Sequence, residues 1–135
     1  MPQQEAHVDW ELVMRQAGPY PLEAFDFIRE GLHFTTLRIH KDYDQLPELE
    51  RHVSGQQLCL GLRDFAIRKY GLMARAVMDH WKIERTDDFG RIVFAMIGAG
   101  LMSHTDEDDF EDFRSVYDFD EAFSREALLE RISAG

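Results

Sequence analysis

The chain has 135 residues, 44% of them hydrophobic and 30% charged, with a net charge of −11; this fits one domain with its own core and is too short for most two-domain enzymes. No span approaches the roughly 18 to 20 apolar residues of a membrane helix and no opening run resembles a signal peptide, so a cytoplasmic protein with no membrane association is expected. The single cysteine, Cys59, excludes an internal disulfide framework and a cysteine-based zinc cluster.

Residues 1–8 lack periodicity and are expected to be disordered. Asp9 then caps a short helix with Trp10, Val13, Met14 and Ala17 on one side, stopped by Gly18 and Pro19. Pro21 suits the first turn of a longer helix in which Leu22, Phe25, Ile28, Leu32, Thr35 and Ile39 recur at spacings of three or four. Gly31 inside it marks either close helix packing or an early end. Residues 40–53, with Pro47 and mixed charges, read as a connecting loop. Ser54 and Gln57 then form a capping box, with Val53 and Leu58 at the positions of a hydrophobic staple, and a helix is predicted over 55–70. Its inward positions are Leu58, Leu62, Phe65 and Ala66, and Gly71 stops it. A short helix over 73–81 carries Met73, Ala76, Val77, His80 and Trp81, with Val77 and Trp81 expected in the core.

The stretch from Thr86 to Tyr117 reads as a complete unit. Thr86 is the expected N-cap, Asp87 and Asp88 sit in the first turn where carboxylates complement the helix dipole, and Phe89, Ile92, Val93, Met96 and Ile97 form one stripe of a helix over 87–99. Gly100 ends it. Beyond the acidic run at 106–112, Phe113, Ser115 and Tyr117 share a face if the chain is extended, which suggests a hairpin. Asp118 and Glu121 then cap a final helix to about Ile132 through Ala122, Phe123, Leu128 and Leu129. The expected fold is mainly α with a small β-hairpin: a winged-helix-like core over 54–117, helix-turn-helix plus acidic wing, with extra helices at both ends and all 135 residues in one domain.

The charge is local. Residues 103–121 hold nine acids against Arg114 alone, a balance of −8, whereas residues 1–102 balance at −3. A field of that sign repels phosphate backbones and attracts basic proteins or divalent cations. Motifs for catalysis are absent. Asp88, Phe89 and Gly90 spell the magnesium-binding tripeptide of protein kinases without a glycine-rich loop or a catalytic loop. Gly98 and Gly100 follow a helix where a dinucleotide fingerprint needs a strand. The histidines, His7, His33, His40, His52, His80 and His104, have no zinc spacing, and the acidic run lacks the glycine and distal glutamate of an EF-hand loop. A Cys59–His52 nucleophile pair has no evident activating base. No cofactor is implied.

The segments HVSGQQL, RTDDFGRIVF, AGLMSHT and YDFDEAF resemble the conserved segments of a small hypothetical-protein family restricted to planctomycete and verrucomicrobial bacteria. The resemblance covers roughly residues 20–123 and implies a bacterial intracellular protein, with no activity and no functional residues to carry over.

Two functional readings follow. In the first, a non-enzymatic interaction module docks a basic protein partner through the acidic hairpin, with Asp106, Glu107, Asp108, Asp109, Phe110, Glu111 and Asp112 as the contact residues. In the alternative, a winged-helix protein binds nucleic acid through Arg63, Arg68, Lys69, Arg75, Lys82 and Arg85, although Asp87 and Asp88 at the start of the would-be recognition helix oppose it.

Overall fold

The computed structural model of the chain describes residues 8–47, 52–103, 105 and 108–134. The disorder expected over residues 1–8 thus lies, Val8 excepted, outside the described residues. The Asp9 carboxylate accepts from the Leu12 N–H and opens helix α1, Trp10–Ala17. Helix α2, Leu22–Ile39, enters through Pro21 and runs uninterrupted past Gly31. Gly31 is therefore a packing residue: a Cβ there would run into Leu62, and one at Gly61 would land on Thr35. These two glycines let α2 close directly onto helix α3, Gly55–Tyr70, in the most extensive helix pairing of the molecule. The α3 capping box forms as the sequence predicts, the Gln57 N–H reaching Ser54 Oγ at 3.1 Å and the Ser54 N–H reaching Gln57 Oε1 at 2.9 Å.

Gly71, at φ +56°, ends α3 in a conformation that favours glycine. A 3-10 turn, Gly71–Met73, leads to α4, Ala74–His80, and then to α5, Thr86–Gly98. These positions match the expected helices within a residue. The core gathers Phe25, Phe27 and Ile28 of α2, Leu58 and Leu62 of α3, Met78 of α4, and Phe89, Ile92 and Met96 of α5. Phe65 and Val77, expected in the core, are only partly buried at its margin, where Phe65 packs on the rings of Phe27 and Phe34.

The winged-helix-like fold is not what the chain adopts. Among the described residues there is no strand, and in the later part of the expected hairpin residues 108–116 form a strap around one 3-10 turn, Phe110–Phe113. A three-residue alternation is satisfied by a turn as well as by a strand, and the partners of the backbone decide between them. Here the Ser115 N–H bonds Asp87 Oδ1 at 3.2 Å and the Val116 N–H bonds Thr86 Oγ1 at 3.0 Å, so side chains of α5 take donors that a hairpin would give to a second strand. Ser115 itself lies at φ +46° and turns the chain. The final helix is likewise two: α6, Phe119–Ala122, capped by Asp118, and α7, Arg125–Ala134, whose Ala127 N–H reaches Ser124 Oγ at 3.0 Å.

Candidate functional site: a pocket beneath the acidic strap

Thr86 does not cap α5. It is the first helical residue, fully buried, and its hydroxyl donates to the Phe113 carbonyl at 2.7 Å while accepting from Val116. The helix start is held by Asp88, whose Oδ2 accepts from the N–H groups of Glu84 and Arg85 at 2.8 and 3.1 Å and whose Oδ1 accepts from the Tyr20 hydroxyl and from Arg91. Asp88 is thus a buried structural carboxylate with its lone pairs occupied. It carries no sign of the metal role that its tripeptide suggests.

The strap is pinned to α5 at Thr86 and seated on two helices where they lack side chains. A Cβ on Gly90 of α5 would meet Phe113 Cβ at 2.8 Å, and one on Gly55 of α3 would meet Asp112 Cβ at 2.7 Å. Phe113 is buried there and Phe110 packs on Phe94. The described acids of the run stabilise this shape. Asp109 accepts from the Glu111 N–H at 3.1 Å, Asp112 accepts from the Asp109 N–H at 3.3 Å, and Asp108 Oδ2 accepts from the Thr105 N–H at 2.7 Å.

Between the strap, α2, α3 and α5 lies a pocket of 360 Å³. Its apolar lining is Leu32, Leu58, Val93, Phe94 and Ile97 from the helices and Met102 from the chain beyond α5. Polar residues line it as well, among them Thr36 of α2 and Asp112 of the strap. His52 Nε2 stands 3.0 Å from Asp108 Oδ1, joining the loop before α3 to the strap. The carbonyl of His52 accepts from His40 Nε2 at 2.7 Å, which fixes that loop to the end of α2. Val53 and Leu58, the staple pair, both line the cavity.

Of the seven acidic-run residues singled out from sequence, the structure brings Asp108 and Asp112 to the pocket, tucks Phe110 against α5, and leaves Asp109 and Glu111 exposed. Asp106, Glu107 and His104 lie outside the described residues. The pocket was missed. Leu32, Leu58, Val93 and Ile97 were legible as apolar stripes and Val53 as a staple residue, but nothing in those patterns says that they leave a cavity between them.

The nucleophile reading of Cys59 fails on its surroundings. The thiol is fully buried, burial pushes its pKa far up, and His52 is engaged with Asp108. Three of the six basic residues singled out for nucleic acid are paired with carboxylates of the chain: Arg63 bonds Asp64, Lys69 bonds Glu30, and Arg75 bonds Asp79 and Asp120. Among the described residues, no group of three or more His, Cys, Asp or Glu side chains is placed to hold a metal ion, and no helix is long and apolar enough to cross a membrane. No protein-family model, curated protein or solved structure matches this chain.

Proposed function

We propose that this chain is a binding domain that takes an amphipathic small molecule into the pocket under the strap. The observation that carries the reading is the lining: a 360 Å³ cavity in which Leu32, Leu58, Val93, Phe94, Ile97 and Met102 supply apolar surface and His52, Asp108 and Asp112 supply polar groups. Sites for small ligands have this size and combine apolar surface, which supplies affinity, with a few polar groups that fix orientation. The His52–Asp108 pair, at 3.0 Å, joins the loop before α3 to the strap within that lining.

Filling the cavity tests this. An uncharged, environment-sensitive dye such as Nile red should brighten on mixing with the native chain, and Ile97→Trp should remove most of that signal. Ile97 is partly buried and lines the cavity, so the indole has room to enter it. A variant that melts like the native chain yet leaves the dye signal unchanged rules the pocket out as the binding site.

Docking of a basic protein partner, the reading drawn from the acidic run, is supported in a reduced form by the outward-facing Asp109 and Glu111. Asp108 and Asp112 belong to the pocket in this account. Nucleic-acid binding has less support, because Arg63, Lys69 and Arg75 are already paired with carboxylates of the chain.

A further inference from the structure

Resting on the pocket as the binding site, we infer that its ligand is an organic cation: an apolar body carrying a protonated amine. Two carboxylates, Asp108 and Asp112, line the cavity, and among the described residues that line it there is no lysine or arginine. Among the described residues Asp108 meets His52 and Thr105, and Asp112 meets Gln56 and Asp109, where an ionised carboxylate has about four lone-pair sites. An ammonium group beside the two carboxylates would gain charge-assisted hydrogen bonds in a cleft partly shielded from water, where they are stronger than on an open surface. A carboxylate or phosphate head at the same place would meet two like charges. The apolar lining of Leu32, Leu58, Val93, Phe94, Ile97 and Met102 would cover an alkyl or aryl chain, and the 360 Å³ volume suits a small molecule.

The probes are three molecules of equal chain length, octylamine, 1-octanol and octanoate, titrated into the full chain at pH 7 and followed by amide and methyl NMR shifts of the pocket residues. Octylamine should bind at least about tenfold more tightly than octanoate, with octanol between them. Asp112→Asn removes the charge but keeps an acceptor for the Asp109 N–H, and should bring the affinity for the amine close to that for the alcohol. Binding of octanol or octanoate as tight as that of the amine overturns the cation assignment and leaves the pocket standing. If none of the three shifts the pocket resonances, pocket and cation fall together. Should Asp112→Asn lower the melting temperature, Asp112→Glu serves in its place: it keeps the charge and should keep the amine preference, and loss of that preference in this variant also counts against the assignment.

Discussion

Tyr20 and Asp88 lie 68 positions apart in the chain and share one short hydrogen bond under α1. Burial, reinforced by that bond to a carboxylate, pushes the Tyr20 phenol up to about 12 from its ordinary 10. The folded state then holds this proton more tightly than the unfolded chain does. Its contribution is complete below pH 10 and is lost as the pH climbs from 10 through about 12. Burial also raises the Cys59 thiol and the Tyr117 phenol, which act in the same direction. The melting temperature should therefore fall steeply on the alkaline side. Tyr20→Phe should be less stable at neutral pH by roughly 1–2 kcal/mol, because Asp88 loses a donor, and should show a shallower alkaline fall. Parallel alkaline profiles for the two proteins would separate Tyr20 from the effect.

Helix α3 is where a local signal and the site meet. The capping box at Ser54 satisfies N–H groups at the helix start, and the residues on either side of it, Val53 and Gly55, line the pocket. Ser54→Ala should cost about 1 kcal/mol by chemical denaturation, the usual range being about 0.5–2 kcal/mol. Because the first turn of α3 forms part of the cavity wall, dye affinity should drop as well. A loss of stability with unchanged dye affinity would show that the cap serves the helix alone. The strap behaves differently from the helices. Its conformation comes from acids that cap one another's backbone and from two glycines on neighbouring helices that leave it room to settle.

Across the whole molecule, two kinds of contact hold the helices together. One is the core, in which Phe89 is fully buried and packs against Phe119, whereas Phe65 lies at the margin. Truncating Phe89 to alanine should cost on the order of 3–5 kcal/mol, enough to unfold a marginal domain, and Phe65→Ala clearly less. Thermal melts of the two variants side by side check this; equal losses would mean that the margin is packed as tightly as the centre. The other is Asp64 of α3, which receives Arg38 of α2, Arg63 of its own helix and Arg131 of α7. Burial opposes its ionisation, yet hydrogen bonds from Arg63 and Arg38 and the charges of Arg63 and Arg131 prevail and hold the carboxyl below its ordinary value. One carboxylate thereby joins three helices.

Helix positions were legible in the sequence because their signals are local. Asp9, the Ser54–Gln57 box, Gly71 and the stripes of α2, α3 and α5 act within a few residues of chain; α1 begins at Asp9, and α3 begins at the box and ends at Gly71. The loss of the expected wing has the opposite cause. The N–H groups of Ser115 and Val116 go to Asp87 and Thr86, which lie some 30 positions earlier in the chain and cannot be paired with them by local pattern. The same holds for the pocket. Leu32, Leu58, Val93 and Asp108 meet only because the glycines at 31 and 61 let α2 and α3 close while those at 55 and 90 seat the strap above them. Composition alone established that the acidity is concentrated near the C-terminal end. Only packing decided which of those acids face a cavity, which cap a turn and which face water, since that division depends on contacts between segments with no periodicity in common.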